Sequence, residues 1–391
     1  MHPSYLIVAG LDFTALPQQL VNGLLLGAIY ALIALGYTMV YGVLKLINFA
    51  HGEVYMLGAY TALFTSWYFG FLPNLNQYPN SSFWILLIML AGSMIVCAII
   101  GVLIERFAYR PMRNNSRIAS LITAIGVSLL FQYGGALFLP NSPPPSVAEK
   151  VNPFGGAFSV PIIPADAKLS EVVKATQPDY EQKKKDLEEY LASTGQEEFS
   201  SDPQVVAKRD AKQAAEQSYM DAKRKLETSG VKVTIQRGQL TMLLTAIVLM
   251  LGLRYLVLKT PAGRAMRAVS LDFDSAALMG INVDRVITWT FVIGSAMAGA
   301  GAMMTATFLG TPLTTQYGVQ PGVKAFVAAV LGGIGNIPGA ALGGILMGVA
   351  ENLVVWIGFS QYRDAIAFVV LIFILLYRPG GLLGSAKVEK V

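Results

Sequence analysis

"LINFAHGEVYM", residues 46–56, decides how this chain is read. A long apolar run stops, Asn48, His51 and Glu53 follow in quick succession, and the apolar pattern resumes at once. The flanks carry no charge: none lies between Asp12 and Lys45, and none between Glu53 and Glu105. A helix crossing a bilayer needs about 20 apolar residues, and both flanks supply them. The stretch is therefore a polar corner between two membrane-crossing segments.

The same pattern repeats along the chain. Charge is absent between Arg117 and Glu149, Arg237 and Arg254, Arg285 and Lys324, and Lys324 and Glu351. Spanning helices are predicted at 20–44, 50–70, 83–104, 118–139, 238–258 and 286–309. The last third is less regular, with a short segment at 323–335 and helices near 339–357 and 362–378. Composition agrees: 54% of the 391 residues are hydrophobic and 14% charged, where a soluble domain carries about a quarter charged. The fold class is an all-α, polytopic membrane bundle of about eight or nine spanning or half-spanning segments.

Three regions follow: transmembrane segments in 1–140, a polar insert in 141–236, and further segments in 237–391, interrupted by a basic loop at 259–285. Residues 166–232 hold 14 of the 24 acids and 12 of the 29 Lys and Arg side chains. Asp202 before Pro203 reads as an N-cap with proline at the first helical position, and Val206, Ala214, Tyr219 and Leu226 form a thin apolar stripe. A helical hairpin and a partly disordered solvated loop are both compatible with so few large apolar side chains. Lys and Arg accumulate in 105–117, 254–285 and the tail, which places those stretches on the cytosolic side, the insert on the opposite side, and "INFAHGE" at the inner end of its helix.

Catalytic constellations are missing. The two histidines are His2 and His51, the single cysteine is Cys97, and no HExxH or phosphate-binding G-x-x-x-x-G-K-[ST] occurs. "VLGGIGNIPGAALGG" (330–344) resembles a dinucleotide fingerprint only superficially, because Pro338 follows where a third glycine is needed. Most of its glycines suit close helix packing, whereas Gly335, Asn336 and Pro338 read as a broken helix, which lines cavities in membrane proteins. The N-terminus lacks the basic segment of a cleavable leader.

Glu351 stands deep in an apolar segment, where a carboxylate is costly. It contacts substrate, reaches the interface, or pairs with Lys324 or Arg363. His51 and Glu53 lie on a transport path, or form a hydrogen-bonded turn with Asn48 as N-cap. In the basic loop, Ser275, Ala276, Ala277 and Gly280 make a short helix of small residues behind Asp272 and Asp274, which suit a helix N-terminus. It serves as a docking element or as a plain connector.

"QQLVNGLLLGAIYALIALGYTMVYGVLKLINFAHGEVYMLGAY" (18–60), "ERFAYRP" (105–111), "AIGVSLL" (124–130), "KAFVAAVLGGIGNIPGA" (324–340) and "RPGGLLG" (378–384) resemble LivH-type permeases of branched-chain amino acid ABC importers. The resemblance covers about 1–140 and 237–391, and the insert departs from the compact family pattern. It implies a non-enzymatic subunit of a bacterial inner membrane. The implied partners are a second homologous permease, two cytosolic subunits that bind ATP, a periplasmic binding protein, a small-molecule substrate and membrane lipid, with no nucleic acid and no cofactor of its own. It also implies that Ser275, Ala276, Ala277 and Gly280 couple the chain to the ATPases, and that Asn48, His51, Glu53, Gly335, Asn336 and Glu351 are candidates for the path. Urea or short amides are the close alternative substrates. An ion-coupled secondary transporter would need more ionisable groups in the membrane.

Overall fold

The structure is a computed structural model that describes residues 7–8, 11–72, 79–113, 115–164, 166–195 and 197–384. His2 lies outside the described residues. The chain divides into two compact units, residues 1–18 with 158–234 and residues 19–157 with 235–391.

In the larger unit, every apolar run read from the sequence is a helix: α1 (Leu16–Leu44), α2 (His51–Tyr68), α3 (Phe83–Ile104), α4 (Arg117–Phe138), α7 (Arg237–Lys259), α10 (Val283–Phe308), α11 (Val319–Gly332), α12 (Ile337–Trp356) and α13 (Ala365–Tyr377). Six of them are long and apolar enough to cross a membrane. At about 1.5 Å per residue, the 14 residues of α11 make only about 21 Å, less than the roughly 30 Å of hydrocarbon. The chain is a multi-pass membrane protein.

Its core is built on α1, α2 and α10, which are buried along most of their length. Small residues let them close. A Cβ at Gly299 would stand 2.5 Å from the Ser93 carbonyl oxygen, and Ser93 donates to the Gly58 carbonyl at 3.0 Å. By contrast, α3, α4, α7 and α13 present exposed Ile, Leu and Phe side chains, among them Ile95, Phe138, Leu251 and Phe373. Without a hydrophobic driving force in lipid, such surfaces are at rest against acyl chains. At one end of α3 a buried Glu105 is ion-paired with Arg113, which also reaches Asp284 at 2.5 Å, and Thr288 donates to Glu105 at 3.0 Å.

In the smaller unit, α5 (Ala167–Thr194) and α6 (Pro203–Ser229) form the hairpin expected from the insert. Asp202 caps α6 by accepting from the Gln204 N–H at 2.8 Å. The buried face of α6 is Val205, Ala215 and Ala222 rather than Val206 and Ala214. The register is set by Tyr219, which stacks on Tyr180 with ring centres 5.7 Å apart and draws the positions three and four residues away onto its own face. Two short sheets were not foreseen: β1 (Ile7–Val8) pairs antiparallel with β2 (Leu11–Asp12), and β3 (Ala157–Ile163) pairs with β4 (Val231–Gln236).

Candidate functional site

The opening corner is deeper than the sequence implies. After α1 ends at Leu44, Lys45 takes a positive φ of 56° and the chain folds back. The first residue of α2, His51, then lies against Gly36, where a Cβ would stand 2.4 Å from its ring and 2.7 Å from the Gly294 carbonyl oxygen. Gly36 is eight residues before the end of α1, or about 12 Å of helix. Thus α2 starts inside the bundle, not at its end. Asn48 is not the N-cap of α2; that residue is Ala50, with no side-chain cap. Asn48 is buried and accepts from the Tyr109 hydroxyl at 3.1 Å. The tilted ring of Tyr37 lies 4.5 Å from that of His51. Both ring nitrogens of the fully buried His51 lack a hydrogen bond of normal geometry.

Glu53, one turn into α2, points elsewhere. It is only 3% exposed, and its Oε1 accepts from Gln132 Nε2 of α4 at 2.5 Å. Gln132 also donates to Ser128 at 3.3 Å. The carboxylate lines a cavity of about 170 Å³, walled by Tyr37, Phe49, Ile125, Val323 and Phe326 and floored by Gly52, Gly318 and Gly322. The floor is where α2 and α11 meet main chain to main chain: a Cβ on Gly318 would stand 1.8 Å from the Gly52 carbonyl oxygen. Among the described residues no cation pairs with Glu53.

Glu351 of α12 is in the opposite condition. Its Oε1 accepts from Lys324 Nζ at 2.7 Å and from Arg363 Nε at 2.5 Å, and its Oε2 accepts from the Tyr30 hydroxyl at 2.7 Å. Lys324 is bound in turn to Asp364 at 2.6 Å. Two cations and two carboxylates neutralise one another and tie α1, α11 and α12 to the start of α13. Of the pairings open to Glu351, the structure contains both.

These features sit on a recognisable chain. Residues 19–375 match the family described as branched-chain amino acid transport system, permease component. The chain belongs to that family. It is 36% identical over 375 residues to the high-affinity branched-chain amino acid transport system permease protein BraD of Pseudomonas aeruginosa, covering 96% of this chain and 97% of the relative. It is 34% identical, over the same shares, to the permease protein LivH of Escherichia coli K12. A shorter match, 31% over 148 residues, joins 36% of this chain to 40% of the autoinducer 2 import system permease protein LsrC of Yersinia pestis. No solved structure matches.

In this permease, Gly335 and Asn336 form the corner between α11 and α12. Gly333 and Gly335 have φ values of 104° and 90°, which side chains rarely adopt. Asn336 caps α12 by accepting from the Gly339 N–H at 3.0 Å, and donates to the Leu383 carbonyl at 2.6 Å. The tail also donates from the Leu382 and Leu383 amides to the carbonyls of Leu331 and Gly332. The helix is broken where the sequence indicated, and the freed groups are met by the tail. The structure brings neither residue to the Glu53 cavity.

The basic loop of the permease folds as α8 (Pro261–Leu271) and α9 (Phe273–Leu278). Asp272 caps α9 by accepting from the Ser275 N–H at 2.5 Å, and that bond holds its carboxyl below the usual range. Ala276 is buried, whereas Ser275, Ala277 and Gly280 are exposed. Leu271, Leu278 and Met279, each more than 80% exposed, surround them. Gly280 has a φ of 81° and open space about it.

Sequence reasoning missed Gln132, Ser128, Asp364 and Tyr30. Polar side chains inside an apolar run were the available signal for Ser128 and Gln132, four residues apart in "VSLLFQYGG". Tyr30 gave none.

Proposed function

We propose that this permease imports branched-chain amino acids across a bacterial inner membrane. In this reading it is one half of a channel shared with a second, homologous permease. Two cytosolic subunits bind and hydrolyse ATP, and a periplasmic binding protein delivers the substrate. The observation that carries the reading is the near full-length similarity to two permeases named for that transport. The position of charge supports the orientation: α8, α9 and the 105–117 stretch face the cytosol, and the α5–α6 hairpin faces the periplasm.

Access alternates between the two sides as the ATPases close and open. The exposed small residues Ser275, Ala277 and Gly280, with Ala276 anchoring α9 inward, receive that movement. Asn48, His51 and Glu53 lie along the moving region.

The test is uptake by the permease co-expressed with its partner permease, ATPases and binding protein. Labelled leucine, isoleucine and valine are expected to accumulate in an ATP-dependent way. Accumulation of urea or acetamide instead, or of none of these, overturns the substrate assignment. Single cysteines at Ser116, Ser201 and Ser270, probed on whole cells with an impermeant thiol reagent, test the orientation. Only position 201 is expected to react.

A further inference from the structure

Three carboxylates are buried among the described residues: Glu53, Glu105 and Glu351. Glu105 and Glu351 are ion-paired, and Glu53 is not. Removing an ion from water costs several kcal/mol even after relaxation, and in a membrane segment such a group is expected to have a partner. Gln132 and Ser128 supply neutral hydrogen bonds. Neutral donors can fill some of a carboxylate's roughly four acceptor positions, but they leave its charge unmatched by any cation. A cation would have room beside it, since the carboxylate opens onto the cavity of about 170 Å³. A water needs only about 10–15 Å³ of such volume.

The rest of the lining fits a particular kind of cation. Phe49, Ile125, Val319, Val323 and Phe326 are apolar, and no second acid lines the cavity. A hydrated metal ion wants several oxygen ligands, which these walls do not supply. A primary ammonium carrying a short aliphatic group would place its charge at Glu53 and its hydrocarbon against the aromatic walls. We propose that Glu53 binds the ammonium group of the transported amino acid, and that Gln132 holds the carboxylate in position to do so. The proposal rests on the transport reading given above and adds the residue that meets the substrate's positive end.

The test uses the assembled transporter in proteoliposomes, with Ile125→Cys introduced in the cavity wall and the buried Cys97 left in place. The rate of thiol labelling is measured with L-leucine, with 4-methylpentanoate, which keeps the carbon skeleton but lacks the ammonium, and with sodium chloride. Leucine is expected to slow labelling, and 4-methylpentanoate and sodium are not. Glu53→Gln is expected to weaken leucine protection by about tenfold or more, the effect of losing one charge-assisted hydrogen bond, while ATPase association is unchanged. If Glu53→Gln fails to assemble, Glu53→Asp serves in its place, with protection reduced but retained. Equal protection by leucine and 4-methylpentanoate, undiminished protection in Glu53→Gln, or protection by sodium alone overturns the proposal. So does the absence of any protection in a complex that takes up leucine. An unsubstituted complex that takes up no leucine overturns the transport reading instead.

Discussion

Glu53 and Glu351 look alike in the sequence. Each is an acid bounding a long charge-free run, and each is buried in the folded chain, at 3% and 1% exposure. Their surroundings divide them. Glu351 is met by Lys324, Arg363 and Tyr30 within 2.7 Å, so its charge is spent within the protein and the group joins four helices. Glu53 meets only neutral donors, Gln132 and Ser128, and an open cavity. Burial alone does not separate a structural ion from one kept for a ligand; the inventory of opposite charge does. Two acids of equal depth therefore have different consequences when removed.

The largest effect is expected at the paired acid. Glu351→Ala leaves Lys324 buried beside a single exposed acid, and breaking a buried pair in this way costs about 3–5 kcal/mol. Thermal unfolding in detergent measures it. Adding Lys324→Met should recover much of the loss, because an apolar replacement for a whole ion pair is often neutral. A melting curve unchanged by Glu351→Ala would erase the contrast between the two acids. At the unpaired acid the pattern reverses. Glu53→Gln keeps a hydrogen-bonding group of the same shape and should alter stability by about 1 kcal/mol or less, yet uptake at low leucine should fall by about tenfold or more. Comparable loss of stability in both variants would make Glu53 a structural residue.

Deleting residues 166–232 and joining the flanks touches neither acid, so the membrane segments should still insert and both ion clusters persist. Loss of the shortened protein from the membrane fraction would show that the hairpin supports the bundle. The smallest effect concerns Asp272. Because its folded pKa is depressed, its cap on α9 contributes fully above the unfolded value near 3.9 and is lost only as pH falls through the lower folded value. ATPase association should therefore show no pH dependence from this cap between about pH 5.5 and 8. Asp272→Ala should weaken association equally across that range.

Nine apolar runs were legible as helices because charge-free length is itself the physical requirement for crossing a bilayer. The break at Gly335 and Pro338 was legible for a related reason, since proline removes a donor. What the sequence concealed was depth. Nothing in "LINFAHGE" tells that Lys45 turns the chain back beside Gly36, because the turn depends on contacts from α1 and α10 that are distant in sequence. Asn48 was misread for the same reason: its partner, Tyr109, lies 61 residues away. Pairing of charge was half visible. Lys324 and Arg363 could be named as partners of Glu351 because they are charges in apolar surroundings, whereas Gln132 and Tyr30 are distinguished only by where the helices carry them.

The bare contact between α2 and α11 has a mechanical meaning. Interleaved side chains act as teeth, and helices joined that way move only by disengaging rotamers. At Gly52, Gly318 and Gly322 there are no teeth, and one main chain lies directly on the other. A seam of this kind has few rotamers to disengage, and sliding of packed helices is one known route of conformational change, while the ion cluster around Lys324 ties α11 to α12 and α13. The seam is also the cavity floor, so any sliding of α2 carries Glu53 with it relative to the Val323 and Phe326 wall. On the proposal that Glu53 holds the substrate's ammonium, a shift at this seam changes the offset between that acid and the wall facing it.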